Sequence, residues 1–270
     1  MALVNTYSST TTVSPSRPSA CLVATSCLSA YLPAGCGMGC AFCATGLNGL
    51  KRSLTAQEIV DQVLHVSNDF GERATSVVFM GQGEPFANYD EVLKALRILN
   101  DPDGIGIGAR HLTVSTSGVI PGIRKFADIP EQFTLAVSLH SAIQSTRNKL
   151  MPGVKKYTLL RLHEALQLYT EKTGRRPTYE YAMIEGVNDT NPEMQALCDF
   201  CEGTLCHVNL IQLNDIEGSP LKPSPIHKVE DLQRRLESRG IETTIRNSRG
   251  NDIDAACGQL KQRFKVQKNA

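Results

Sequence analysis

The chain has almost no net charge. Across 270 residues, 28 Lys and Arg stand against 27 Asp and Glu, leaving +1. That balance excludes a polybasic tail and a broad electrostatic grip on nucleic acid, and it leaves room only for local basic patches. Long apolar runs are missing too. No stretch approaches the ~20 uncharged apolar residues that span a bilayer, so no membrane helix is expected. The nine cysteines do not spread along the chain as a disulfide framework would. They are odd in number and clumped, which points to a reducing compartment and to metal-binding or catalytic thiols. At 41% hydrophobic and 20% charged, the chain is too apolar for disorder. It has the length for one large domain or two small ones.

No acidic residue occurs before Glu58. Between Met1 and Pro33 the one charge is Arg17, amid dense Ser and Thr (Ser8 to Thr12, Ser14, Ser16, Ser19). The stretch lacks the basic start and apolar core of a secretory signal. Three readings stay open: a disordered leader, an aberrant start ahead of a real domain, or an organellar transit peptide. A cytoplasmic location is expected, with an organelle as the alternative.

What is present after Pro33 is alternation. Thr75–Met80, His111–Ser115, Phe133–Ser138, Thr178–Met183 and Val208–Ile211 are short runs rich in apolar and β-branched residues, read as strands. Between them lie segments of helical period. Ser53 to Glu58 offers caps, and Ile59, Val60, Val63, Leu64 and Val66 form an apolar stripe. Tyr89–Leu99, Tyr157–Tyr169, Pro192–Phe200 and Ile226–Leu236 behave alike, and Gly240 is a stop signal. Strand and helix alternating about six times predicts an α/β fold of parallel strands with crossover helices. The apolar runs suit strands buried on both faces. About 220 residues are too few for a complete eight-fold barrel, so a partial TIM-like (β/α)6 barrel with a short C-terminal extension is expected. Chemistry in such folds sits at the C-terminal ends of the strands.

Gly35-Cys36-Gly-Met-Gly-Cys40-Ala-Phe-Cys43 spaces three thiols as C-x3-C-x2-C. The glycines let the backbone curl so that three thiolates face one point. Such ligands suit an iron–sulfur cluster or zinc; three buried free cysteines are the alternative. A closed site would want a fourth ligand, and no further Cys or His occurs before His65. Three protein ligands on a four-iron cluster leave one iron open to a substrate.

This spacing, with an aromatic residue before the third cysteine, resembles the signature of the radical S-adenosylmethionine (SAM) superfamily. There the open iron binds SAM, and reduction cleaves it to methionine and a 5′-deoxyadenosyl radical. Gly81-Gln-Gly83-Glu84-Pro85, placed after the second of these strands, resembles the pair that holds the methionine end of SAM. A narrower resemblance is to the 23S ribosomal RNA adenine carbon-2 methyltransferases (RlmN) and their carbon-8 relative Cfr. It rests on Ala34–Gly46, Met80–Pro85, Leu112–Gly118, Val137–His140, Asn209–Asn214 and Arg249–Leu260, in family order. The resemblance implies that Cys36, Cys40 and Cys43 hold a [4Fe-4S] cluster. It implies that Gly83, Glu84, Ser115, Ser138, Leu139, His140 and Asn214 bind SAM, two of which are used per turnover.

It also implies that Cys257 carries the methyl group. Adenine carbon-2 is electrophilic and cannot attack SAM, so one SAM first methylates the cysteine by displacement. A second SAM supplies the radical that takes hydrogen from the S-methyl group, and the carbon radical adds to the ring. A second cysteine then breaks the protein–RNA thioether by forming a disulfide with the first. A thiol suits the role because its thiolate is a good nucleophile that can later leave. On its own, Cys257 could equally be a small core thiol. Further implied partners are ribosomal RNA, possible transfer RNA, and an electron donor such as flavodoxin or ferredoxin, for a monomeric chain.

The match breaks near its start. The family's accessory RNA-recognition domain is expected to be missing, since only 33 residues precede the match. The resolving cysteine normally stands where Ser29 is, and Cys27 is the nearest substitute. The family's acidic proton acceptor has no candidate, and Ala30–Pro33 is a poor first strand because Pro33 cannot donate to a ladder. The expected organisation is therefore an unstructured or aberrant leader (1–33), a barrel core with the methyl-carrier segment (34–260) and a basic tail (261–270). Two rivals remain: carbon-8 methylation, and a catalytically impaired fragment that binds cluster and SAM. Cys198, Cys201 and Cys206 read as core thiols on or beside an amphipathic helix rather than as a second metal site. Arg110, Arg124, Lys125, Lys155, Lys156, Arg175 and Arg176 read as solvated surface.

Overall fold

Strand and helix alternate along one eight-stranded sheet in the computed structural model, which describes residues 21–24, 27–29, 33–43, 45, 49–213 and 219–246. The strands are β1 (Cys21–Ala24), β2 (Cys27–Ser29), β3 (Pro33–Gly35), β4 (Leu50–Ser53), β5 (Ser76–Phe79), β6 (Leu112–Thr116), β7 (Thr134–Ser138), β8 (Thr178–Met183), β9 (His207–Gln212) and β10 (Glu242–Arg246). The helices are α1 (Ala56–Phe70), α2 (Tyr89–Asn100), α3 (Ile120–Ala127), α4 (Gln144–Leu150), α5 (Leu159–Thr173), α6 (Asn191–Cys201) and α7 (Ile226–Glu237). The sheet order is β1-β2-β5-β6-β7-β8-β9-β10. Every pairing from β2 to β10 is parallel, and β1 runs antiparallel at the edge. The sheet stays open, with β1 and β10 as its edges.

Local chemistry sets the helix limits. Thr55 accepts from the Glu58 amide while the Glu58 side chain reaches back to the Thr55 amide, a capping box that starts α1. Gly71 at φ 63° ends it. Ile59, Val60, Val63 and Val66 are buried, but Leu64 is 42% exposed. At 100° per residue Leu64 falls well round the helix from that stripe. Helices α1, α2, α3, α5, α6 and α7 bring their apolar faces to one side of the sheet. There Val77, Phe79, Val114, Leu135, Val137, Tyr179, Tyr181, Val208 and Leu210 form a continuous core with them.

The expectation of strands buried on both faces holds for β8 and is corrected for β5 and β6, where burial alternates. On the side away from that core, Ser76, Val78, Thr113, Ser115, Thr134 and Ser138 are only half-buried. Threonine counts as a strand former, so these positions resembled core in sequence. Of these, Val78, Thr113 and Thr134 face a cavity of about 250 Å³, whose lining also includes Thr178, Glu180 and Asn209.

The start of the fold also differs from expectation. Cys21–Ala24 and Cys27–Ser29, placed by composition in the leader, are strands, and β2 pairs in parallel with β5 (Leu28 opposite Val77). Their apolar residues are β formers that the surrounding Ser and Thr concealed. Pro33 opens β3, which pairs antiparallel with β4 in a separate two-stranded sheet. Among the described residues no helix is long and apolar enough to cross a membrane.

Candidate functional site

The three-cysteine loop is tied at its base. Beta strands 3 and 4 pair there, and Cys36 N donates to Gly49 O at 3.1 Å. Gly35 has φ 89°, and a Cβ on it would lie 2.1 Å from Gly49 O, so only glycine fits. Past the base, Met38 N donates to Cys36 Sγ at 3.5 Å, and Cys43 N donates to Cys40 O at 3.2 Å. The far side of the loop docks on the end of α4 and the turn after it. Ala41 N donates to Leu150 O and Gly153 N to Met38 O, both at 2.9 Å. Met38 and Phe42 pack on a small core of Leu150, Met151 and Val154.

Cys36, Cys40 and Cys43 are free thiols of intermediate exposure. Burial, and then the neighbouring Cys43 and Cys36, push the Cys40 thiol up to about 12. Burial likewise raises Cys36. Thiols held this way ionise when a metal replaces the proton. Among the described residues no three metal-type side chains converge on a single ion. The expectation that the three thiolates face one point is thus not met for a single ion, whereas three thiol donors on one short loop are the kind of set that would hold a four-iron cluster. The donor set and the sulfur-directed amide of Met38 both suit it.

The ends of β5, β6 and β7 lie beside one another. Gly83, at φ 101°, turns the chain after β5. The next residue, Glu84, is 4% exposed and accepts four hydrogen bonds. Phe86 N (3.0 Å) and Thr116 Oγ1 (2.7 Å) donate to Oε1, and Ser117 N (2.7 Å) and Ser117 Oγ (2.6 Å) to Oε2. Burial pushes the Glu84 carboxyl up, against the pull of these donors. Its two oxygens are saturated, so the carboxylate braces the ends of β5 and β6 together. Ser115 and Ser138 are half-buried on the open face, while Leu139 is fully buried.

His140 follows β7 with φ 54°, the one non-glycine residue with positive φ among those described. Its Nδ1 accepts from Ala182 N at 2.9 Å, which places the proton of the neutral ring on Nε2. Burial, with Arg147 adding to it, lowers the imidazole to about 3, so the ring is neutral at physiological pH. The ring meets Phe42 of the cysteine loop edge-on, centroids 4.5 Å apart. Asn188 holds the backbone behind it, donating to His140 O (2.7 Å) and Ala182 O (2.6 Å).

Several of these residues escaped the sequence reading. Thr116 and Ser117, at the end of β6, carry the same strand-end signal as Ser115, whereas Asn188, in the turn after β8, carries none. Arg147 carried none, because Gln-Ser-Thr-Arg-Asn-Lys resembles a solvated helix; yet Arg147 is 1% exposed. Its Nη2 donates to Ser117 O (2.6 Å) and Ser138 O (3.3 Å).

The structure thus brings Cys36, Cys40, Cys43, Gly83, Glu84, Ser115, Ser138, Leu139 and His140 to one end of the sheet. Asn214, Cys257 and the segment 261–270 lie outside the described residues, and for Cys27 only the backbone, in β2, is described. Cys198, Cys201 and Cys206 are core thiols. The neighbouring Cys201 thiol holds Cys206 below the ordinary thiol range. Part of the scattered basic set is internally engaged: Arg176 pairs with Glu242, and Lys125 lies 5.4 Å over the Tyr89 ring.

Comparison with known proteins gives a consistent picture. The sequence matches the Radical SAM superfamily over residues 31–200. It is 46% identical over 239 residues to a protein of Alkaliphilus oremlandii named a probable dual-specificity RNA methyltransferase RlmN, covering 88% of this chain and 69% of that one. A protein of the same name from Geobacillus kaustophilus is 50% identical over 230 residues, covering 84% and 63%. The chain therefore spans about two thirds of the length of these relatives. The crystal structure of a radical SAM methyltransferase from Sphaerobacter thermophilus aligns with a TM-score of 0.83 and 43% identity, over 86% of this chain and 69% of that one. The open parallel sheet is accordingly a partial TIM-like barrel of that fold.

Proposed function

Since the chain belongs to the radical SAM superfamily, and within it to the RlmN RNA methyltransferases, we propose that it methylates carbon-2 of an adenine in 23S ribosomal RNA, with transfer RNA as a further substrate. The observation that carries this is the seating of the Cys36–Cys43 loop on the end of α4 and the turn after it, with Phe42 on His140 just past β7. In this reading Cys36, Cys40 and Cys43 hold a [4Fe-4S] cluster. Bound there with SAM, it supplies reductive cleavage of the sulfonium, and SAM is also the methyl source.

The chain's own residues do the positioning. Glu84 fixes the loop so that the half-buried backbone of Gly83 is presented to the methionine end of SAM. Ser115, Ser138, Leu139, His140 and Asn214 complete that site, with His140 holding its proton at Nε2 as a donor. Cys257 takes the methyl group as a thiolate nucleophile, and Cys27 is the resolving thiol. A small electron-transfer protein of the flavodoxin or ferredoxin kind reduces the monomer. Thiol-bound iron and an RNA substrate both suit a reducing cytoplasm. Residues 34–260 form the working core in this reading.

Anaerobically reconstituted chain, given RNA, SAM and reductant, tests this by mass spectrometry of the nucleosides. The expected product is 2-methyladenosine, abolished by Cys257→Ala. Methyl on carbon-8, no methylation, or undiminished product from Cys257→Ala would each refute it.

A further inference from the structure

Arg147 is the bulkiest fully buried side chain among the described residues. A guanidinium out of water is costly unless paired, and no carboxylate pairs with it among the described residues. It rests on the carbonyls of Ser117 and Ser138, while its Nε has no partner among the described residues. Space was made for it. A Cβ on Gly118, at φ 98°, would come within 2.8 Å of Nη2. Burial lowers Arg147 to about 10, still charged at neutral pH. The fold ties Arg147 to the cysteine loop, because the helix carrying it leads directly into Leu150 and Gly153, whose backbones hold Ala41 and Met38 of that loop.

We propose that Arg147 is a positioning residue that supplies the buried counter-charge to the cluster held by Cys36, Cys40 and Cys43, favouring its one-electron-reduced, more negative state. This rests on the cluster reading above. Reduction adds one electron from the donor and breaks no bond in the protein, so a fixed positive charge in a low-dielectric site favours the reduced side directly. Net charge and burial are the levers that set such potentials.

The test is a dithionite titration with redox mediators of the reconstituted full chain, without SAM, followed by visible absorption and electron paramagnetic resonance. Arg147→Gln is expected to lower the reduced-to-oxidised ratio at fixed potential at least tenfold, about 59 mV for one electron. Arg147→Lys keeps the charge while losing the planar fork, and its ratio is expected nearer the wild type than the Gln variant. A Gln variant that titrates with the wild type overturns the inference. So does a Lys variant shifted as far as Gln, which marks Arg147 as a strut between carbonyls. If the Gln variant takes up no iron, Lys decides: iron and ratio near wild type support the counter-charge, and their loss overturns it. A wild-type chain that takes up no iron instead sinks the cluster reading itself.

Discussion

At the scale of single residues, His140 shows how the site is held. A non-glycine residue at φ 54° costs about 1–3 kcal/mol. It persists because Ala182 N and Asn188 grip its ring and its carbonyl. Its depressed pKa, about 3, sets a sign for stability. The unfolded imidazole titrates near 6.5, so the unfolded chain binds the extra proton as pH falls. The contribution of neutral His140 is complete above about 6.5 and declines toward 3, by up to about 1.4 kcal/mol per pH unit. Asparagine tolerates the same backbone without titrating. Urea unfolding of the iron-free chain between pH 7 and 5 should therefore show a steeper loss for the wild type than for His140→Asn; equal slopes would contradict the assignment. Glu84→Gln makes a second case. Either way the amide turns, its NH2 faces a backbone donor, Phe86 N or Ser117 N. A loss of about 1–3 kcal/mol in unfolding free energy is expected, and no loss would mean that the carboxylate is not the brace described.

At the scale of elements, the cysteine loop is clamped at both ends, and the clamps are glycines. A Cβ on Gly153 would stand 2.6 Å from the Met38 Cα. Gly153→Ala should thus displace the loop and cut iron uptake by more than half. Gly174→Ala is the control: at φ 64° it carries backbone strain but meets open space, so it should lose stability without losing iron. Equal iron in both variants would remove the clamp from the account. Much of this level was legible in sequence. The strands β5 to β9 and helices α1, α2, α5, α6 and α7 were announced by periodicity and caps, because local patterns report local structure. The docking of α4 on the loop was not, since it depends on residues over a hundred positions apart meeting through backbone atoms. Nor was Arg147, whose neighbours in sequence are polar and whose burial comes entirely from other elements.

At the scale of the whole molecule, one face of the sheet is sealed by helices, and the cavity on the other mixes Thr113, Thr134, Thr178, Glu180 and Asn209 with Val78, Met80 and Ala136. Expecting both faces to be apolar failed because Thr113, Thr134 and Thr178 form strands as readily as valine but leave a hydroxyl toward the cavity. The near-zero charge also belongs here. With +1 overall, the chain is expected to hold RNA through few phosphates. A filter assay should give a slope of log affinity against log salt shallower than about −3, some four contacts at roughly 0.7 each; −6 would contradict this. The cofactor claim underlies all of it, and iron and sulfide analysis after anaerobic reconstitution reaches it most directly. Roughly four irons per chain are expected for the wild type and almost none for Cys40→Ala. A wild type with less than one iron, or a Cys40→Ala variant that binds as much, would contradict it.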